Sequence, residues 1–216
     1  MSKNNKHKAA TKPTSGVDVA VAKKPDGRLL RTERSRQLII EALHELINEG
    51  ILVPTAQNVA DRAGVGIRTV FRHFADMETL FATMDVQLRQ SYEGLFIGGD
   101  RDGTLEERIL HATERRAAAY EKQSCLMRST RSQMWRSPVL QKHYARNQRG
   151  LRKDLLDWLP EIGSLNAIRR EAVDTITSFE TWDRLRSQQG LSVKSSVEVV
   201  CEMLRLAFCI DSENTA

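Results

Sequence analysis

The sequence is short of cysteine, proline, glycine and long apolar runs. Its three cysteines, Cys125, Cys201 and Cys209, are odd in number and show no CxxC spacing, which argues against a disulfide framework and against a zinc site. Five prolines and 12 glycines are too few for an all-β chain with many turns. No apolar run approaches the roughly 20 residues that span a bilayer, and no apolar segment follows the basic N-terminus as in a secretory signal. These absences predict a cytoplasmic protein with reduced thiols and no membrane partner.

Sequence signatures of catalysis and of metal binding are also missing. The segment His44–Asn48 lacks the second histidine of HExxH, and Gly98–Asp100 does not follow a predicted strand, as a nucleotide-binding loop would. Neither GxSxG nor the lysine of a P-loop occurs. His111 and His143 have no partner at metal-ligand spacing. We therefore predict a protein that is not an enzyme and that holds no metal and no other cofactor.

Positive charge is concentrated at the start of the chain. The net charge is +5 and the pI is near 9.3. Residues 1–30 hold seven basic and two acidic residues and no aromatic residue, which is typical of a disordered tail. By contrast, residues 31–85 hold six basic and eight acidic residues. The tail therefore either contacts an anionic partner or only improves solubility, and its composition is compatible with both roles.

From Arg31 onward, apolar residues recur at intervals of three and four, which is the period of an amphipathic α-helix. The pattern predicts an all-α fold of about nine helices. Four of them precede a glycine-rich loop near residue 100, and Gly50 ends the first. The other five are predicted at 105–123, 125–135, 138–158, 164–189 and 192–211.

The early helices contain a helix-turn-helix arrangement. Thr55 fits the N-cap of a short helix over Ala56–Ala63, and a glycine-containing turn at 64–66 leads to a second short helix over Ile67–Phe74. The apolar seam between the two helices would be formed by Val59, Ala60, Ala63, Val65, Val70 and Phe74. A short second helix that is polar outside and held rigidly by the first can enter a DNA major groove. Its outward residues would be Arg68, Thr69, Arg72 and His73.

The segment Leu38–Phe81 resembles the DNA-binding domain of the TetR family of bacterial transcriptional regulators. The resemblance is carried, without a gap, by Ala42, Gly50, Thr55, Val59, Ala60, Ala63, Gly64, Val65, the run Thr69–Phe74, Glu78 and Leu80. A weaker likeness to the last two helices of the family's regulatory domain is carried by Trp182, Leu185 and Gly190–Ser192. Three positions depart from the common pattern: Gly66 replaces Ser, Phe71 replaces Tyr and Met77 replaces Lys. These changes remove a helix cap, a phosphate-bonding hydroxyl and a positive charge.

The resemblance implies a set of DNA contacts. Thr55 would bind a phosphate, Arg68 and Thr69 would approach base edges or phosphates, and Arg72 and His73 would lie near the backbone. To these we add Arg28 and Arg31, which precede the first predicted helix and could reach a minor groove as N-terminal arms do. The full predicted DNA-binding set is Arg28, Arg31, Thr55, Gly66, Ile67, Arg68, Thr69, Phe71, Arg72 and His73.

The chain is predicted to have three regions. Composition indicates a disordered basic tail at 1–30, and the resemblance implies a helix-turn-helix domain at 31–85 and a regulatory and dimerisation domain at 86–216. The candidate effector-binding residues are Tyr120, Met127, Trp135, Tyr144, Trp158 and Phe179, although each is also compatible with an ordinary core position. The candidate dimer-interface residues are Trp182, Val193, Val197, Val200, Leu204 and Phe208. The last five lie on one stripe of the final helix, which is equally typical of a buried core.

The expected function is that of a ligand-responsive transcriptional regulator, in the first instance a repressor. It would bind a pseudo-palindromic operator as a homodimer through its helix-turn-helix. Its expected partners are double-stranded DNA, a second copy of itself and an unidentified small-molecule effector. The alternative that fits the basic tail is a nucleic-acid binder with little sequence preference.

Overall fold

The computed structural model describes residues 27–209. Within these residues there are nine α-helices and two short helical turns, and there is no strand. The helices are α1 (Gly27–Asn48), α2 (Ala56–Ala63), α3 (Ile67–His73), α4 (Met77–Glu93), α5 (Leu105–Met134), α6 (Pro138–Trp158), α7 (Ala167–Ile176), α8 (Phe179–Asp183) and α9 (Val193–Phe208). A 3₁₀ turn (Pro160–Ser164) follows α6, and a π-helical turn (Arg184–Gln188) extends α8. The predicted all-α fold is confirmed, whereas most of the predicted tail, up to residue 26, lies outside the described residues.

Helix α1 begins earlier than predicted. Residues 27–30, assigned to the tail, form its first turn. Arg31 and Thr32 hold this turn by donating side-chain hydrogen bonds to the carbonyls of Gly27 (3.2 Å) and Arg28 (3.0 Å). Leucine and arginine favour helix, and no proline follows Gly27 to stop it. Arg28 and Arg31 are therefore fixed on a helix and are not part of an extended arm.

Two other helix predictions are corrected. The predicted helices at 105–123 and 125–135 are the single helix α5, because no glycine or proline interrupts it and the Ser124 hydroxyl bonds to the Glu121 carbonyl within the helix (3.3 Å). Conversely, the segment 164–189 is divided. Asn166 caps the start of α7 and Ser178 caps the start of α8, and each side chain accepts a backbone N–H of the new helix.

Two apolar cores organise the chain. One joins α1 to α4, and the other joins α5 to α9 with the two short turns. Leu126 of α5 and Leu140 of α6 belong to the first core, so these two helices are anchored on the N-terminal helices. The predicted domain boundary after residue 85 falls inside α4, which serves both parts. None of the helices in residues 27–209 is long and apolar enough to cross a membrane.

Candidate functional site

Hydrogen bonds fix both ends of α2, and a tight turn joins the second end to α3. Thr55 caps α2: it accepts the Asn58 N–H (3.2 Å), while Asn58 Oδ1 accepts the Thr55 N–H (3.0 Å) and hydroxyl (2.7 Å). Gly64 ends α2 in the left-handed conformation, with φ of 64° and its N–H bonded to the carbonyls of Ala60 and Asp61. Only glycine adopts this conformation without strain. The turn therefore sets the direction in which α3 leaves α2.

The inner side of α3 is anchored and its outer side is exposed. Val70 of α3 and the following Phe74 are buried against Val59 and Ala60 of α2. Arg68 and Arg72 are exposed, as are Ile67 and Phe71, whereas Thr69 is half-buried. Gly66 precedes α3 without a side-chain cap, and open space surrounds it. The predicted outer face of the second helix is thus presented to solvent.

A cleft beside α3 collects positive charge. Arg28 and Arg31 of α1 and Arg72 of α3 line it together with the hydroxyl residues Thr32 and Ser35. Its volume is about 370 Å³. Guanidinium groups are always charged and bind phosphate oxygens well. We call this surface the arginine cleft, and it joins the start of α1 to the end of α3.

Outside the arginine cleft, an arginine of α2 pairs with carboxylates near the end of α1. Arg62 of α2 makes a two-pronged contact with Glu49 (2.8 and 2.6 Å) and also reaches Glu45 (3.4 Å). This ion pair lowers the pKa of Glu49 through the hydrogen bond from Arg62. Arg62 is therefore occupied by carboxylates of α1.

The surroundings of His73 disfavour a positively charged ring. Its Nε2 atom is buried without a hydrogen-bond partner. Burial lowers the pKa of His73, and the nearby charges of Arg72 and Arg36 lower it further. The lowered pKa favours the neutral ring, and the predicted position of His73 near the DNA backbone stays a prediction. Thr55 is exposed, but its hydroxyl proton is engaged by Asn58, so a phosphate contact there requires that bond to be exchanged.

Comparison with known proteins now identifies this domain. Residues 39–84 match the model of the bacterial regulatory proteins of the tetR family. The helix-turn-helix part of this chain is therefore a domain of the TetR type. The role that this match supports is DNA-binding transcription regulation.

The TetR-type fold extends over the described helices. A transcriptional regulator from Rhodococcus sp. RHA1 is similar with a TM-score of 0.63 and 18% identity, covering 82% of this chain and 96% of that chain. A TetR family transcription regulator from Marinobacter aquaeolei VT8 is similar with a TM-score of 0.52 and 18% identity, covering 83% of this chain and 97% of that chain. At this identity the likeness concerns the fold. No curated protein matches the sequence.

A cavity of about 240 Å³ lies between α4, α5 and α6. Of the predicted effector residues, Met127 and Tyr144 line it. Tyr120 is buried elsewhere and donates its hydroxyl to the Thr177 carbonyl (2.8 Å). Trp158 and Phe179 pack in the second core, which is the alternative that the sequence left open. Trp135 is 79% exposed at the end of α5, because the helix stops there, so its assignment to a pocket is corrected.

Within residues 27–209, three side-chain hydrogen bonds link α5 and the start and body of α6 to the N-terminal part of the chain, which contains α1 to α4. His143 of α6 bonds to Asp85 of α4 (2.9 Å), the Ser137 hydroxyl at the start of α6 donates to Glu78 of α4, and the Ser129 hydroxyl of α5 donates to the Leu52 carbonyl. Sequence reasoning missed these links because the partners lie far apart in the chain. For His143 the sequence indicates only that no partner lies at metal-ligand spacing, and the structure supplies Asp85 as its partner.

Asp85 is buried and forms one of these links through its bond to His143. It also accepts a hydrogen bond from the Tyr92 hydroxyl (2.8 Å). Asp85→Ala is expected to lower the free energy of unfolding by about 1–3 kcal/mol, because His143 loses its partner, whereas the Tyr92 hydroxyl keeps the Asp85 backbone carbonyl (2.7 Å) as acceptor. Chemical denaturation of the variant measures this loss. Glu93→Gln, an exposed change on the same helix, is the control and should leave the unfolding free energy within about 0.5 kcal/mol. An Asp85→Ala protein as stable as the control would contradict the structural role of the link.

The face of α9 predicted to form the dimer interface is instead buried within the subunit. Val197, Val200 and Leu204 belong to the second core, and Leu204 has no exposed surface. Trp182 is also buried and donates its indole N–H to Glu121 (2.9 Å), while Phe208 packs against the same core. Of the predicted set, Val193 alone is clearly exposed. The reason is that α9 carries two apolar stripes, and the one chosen from the sequence faces inward.

The second stripe of α9 faces solvent. Val199, Met203 and Leu206 are spaced by four and three residues and therefore lie on one side of the helix. Met203 is 36% and Leu206 68% exposed, and Val199 is partly exposed. Ile168 of the neighbouring helix α7 is 82% exposed. We call Val199, Met203 and Leu206 the outer stripe of α9.

Proposed function

We propose that this protein is a ligand-responsive transcriptional repressor that binds a pseudo-palindromic operator as a homodimer. The observation that carries the proposal is the exposed outer side of α3 with the arginine cleft next to it. A helix held in this way can enter a major groove, while arginines at its edge bind the flanking phosphates. Two such helices in a two-fold dimer read half-sites about 34–36 Å apart.

Within this arrangement the residues have different tasks. Arg68 and Thr69, near the start of α3, would contact base edges or nearby phosphates. Ile67 and Phe71 offer apolar surface that suits thymine methyl groups and sugars. The arginine cleft would bind phosphates and fix the orientation of α3. Arg28 and Arg31 are then phosphate contacts at the start of α1, which replaces the minor-groove role predicted for an extended arm.

Footprinting tests the proposal directly. The purified full-length protein is expected to protect a pseudo-palindromic site in the DNA that flanks its own gene. Binding should survive a large excess of unrelated DNA. The alternative of a non-specific nucleic-acid binder predicts diffuse protection that the same competitor removes. Deleting the gene should raise transcription from a reporter that carries the protected site, and a fall instead would indicate an activator.

Arg68→Ala is expected to weaken binding to the protected site by about 1–3 kcal/mol and to relax sequence preference at one position of each half-site. The reason is that a base-contacting arginine contributes to discrimination as well as to affinity. Binding to a panel of single-base operator variants measures both effects. Arg62→Ala is the matched control, because Arg62 is paired with Glu49 and Glu45 and should contribute little to operator binding. Equal losses for the two variants would argue against α3 as the reading helix.

The effector part of the proposal rests on the cavity and on the links to α4. A ligand that enters between α4, α5 and α6 contacts α4 directly, since Asp85 and Tyr92 line the cavity. Any shift of α4 moves the helix-turn-helix that packs on α1 and α4. The two recognition helices of a dimer would then no longer match the half-site spacing. The ligand cavity and the DNA-binding surface would thus be coupled through α4. The strength of this coupling equals the difference in the ligand's binding free energy between the state that fits the operator and the state that does not.

A further inference from the structure

The chemistry of the cavity lining points to the class of effector. Its walls are largely apolar, with Phe96, Leu126, Met127, Leu140 and Leu151 among them. The volume of about 240 Å³ lies just below the usual range of about 300–1,000 Å³ for drug-sized ligands. The cavity therefore suits a small molecule with an apolar body.

Arg146 of α6 brings a positive charge to this lining. Its Nε and Nη2 atoms are both buried and have no hydrogen-bond partner, and no carboxylate of the described residues pairs with it. Burying an unpaired guanidinium is unfavourable. Asn147 beside it leaves its Oδ1 atom buried and unpartnered as well. Such unsatisfied groups are expected where a ligand completes the hydrogen bonding.

The other charged groups around the cavity are already satisfied or are solvated. Asp85 bonds to Tyr92 (2.8 Å) and His143 (2.9 Å). Asp154 pairs with Arg101 (2.8 Å) and approaches Arg116 (4.0 Å). Glu93 is exposed to solvent. Among the charged groups that line the cavity in residues 27–209, half-buried Arg146 is thus the one that has buried guanidinium nitrogens and lacks a counter-ion.

We propose that the cavity binds a small apolar carboxylate whose two oxygens accept hydrogen bonds from Nε and Nη2 of Arg146. These two nitrogens form one edge of the planar guanidinium, and a carboxylate matches that edge with two parallel bonds. The apolar body of the ligand then packs on the leucine and methionine side chains. The inference rests on the proposed function only in identifying the ligand as the effector, because the carboxylate site itself is independent of DNA binding.

The test compares three headgroups on the same apolar body. Phenylacetate, phenylacetamide and phenethylamine, and likewise hexanoate, hexanamide and hexylamine, are titrated calorimetrically into the purified full-length protein. At least one acid should bind tenfold or more tightly than its amide and amine. Arg146→Gln should reduce the affinity for that acid at least tenfold without changing the affinity for the amide. Arg146→Lys, which keeps the charge but not the two parallel bonds, should fall between.

Two controls separate binding from folding. Arg149→Gln removes an exposed charge from the same helix, outside the cavity lining, and should leave acid binding unchanged. The melting temperature of Arg146→Gln without ligand should equal or exceed that of the natural protein, because an unpaired buried charge has been removed. A folded Arg146→Gln protein that still binds the acid with full affinity would overturn the proposal.

Other outcomes test the carboxylate site and the ligand-responsive function separately. If no acid binds at millimolar concentration, or if the amide binds equally well, Arg146 does not read a carboxylate. If the amine binds best, the cavity selects cations. If an acid binds through Arg146 but leaves operator affinity unchanged, the carboxylate site stands and the ligand-responsive part of the proposed function fails.

Discussion

Leu206→Glu is expected to convert the proposed homodimer into folded monomers. Leu206 is the most exposed residue of the outer stripe of α9. Exposed apolar patches of this kind mark interaction surfaces, and a charge placed within one opposes association. Because a monomer engages only one half-site, operator affinity should fall by about 10²–10⁴-fold.

The same substitution two residues earlier should have a different result. Leu204 has no exposed surface in the subunit itself. Truncating a buried leucine costs about 2–5 kcal/mol, and burying an unpaired carboxylate adds to that cost. Against a total stability of about 5–15 kcal/mol, Leu204→Glu is expected to unfold much of the protein. Leu206→Glu, by contrast, should retain a cooperative thermal transition.

Sedimentation velocity and circular dichroism distinguish these outcomes. Lys194→Glu places the same side chain on an exposed position of α9 outside the outer stripe, and it should leave both the dimer and the fold intact. If Leu206→Glu remains fully dimeric while Leu204→Glu gives folded monomers, the inward stripe predicted from the sequence is the interface after all.

Replacing the three arginines of the cleft with glutamine is expected to flatten the salt dependence of operator binding. Arg28, Arg31 and Arg72 occur twice in a dimer, so six phosphate contacts are lost. Each contact contributes about 0.9 to the slope of log K against log salt, and the slope should therefore fall by about 5. Affinity at moderate salt should drop by roughly 10²-fold or more, while the preference among operator variants stays the same.

Fluorescence anisotropy over a range of salt concentrations measures the slope. Arg34→Gln is the matched control, because Arg34 is exposed on α1 but does not line the cleft. Arg34→Gln should change the slope by no more than the loss of one phosphate contact in each subunit would. A triple variant with the slope of the natural protein would show that the arginine cleft does not face DNA.

Much of the DNA-binding part could be predicted from the sequence because its signals are local. Thr55 as a cap, Gly64 in the turn and the Val59–Phe74 seam act through neighbours a few residues away. Such spacing is readable directly from the order of residues. The division of 164–189 by Asn166 and Ser178 was also local but was missed, because polar caps inside an apolar pattern resemble ordinary surface positions.

By itself, the sequence determined the all-α class, the helix-turn-helix and the exposure of Arg68 and Arg72, because these follow from periodicity and local hydrogen bonding. Only the tertiary structure decided which stripe of α9 is buried, since both stripes are apolar and the choice depends on where α5 and α7 pack. Likewise, only the fold brought His143 to Asp85, gathered Arg28, Arg31 and Arg72 in one cleft, and left Arg146 without a counter-ion. These features depend on contacts between residues far apart in the chain, for which the order of residues carries no local signal.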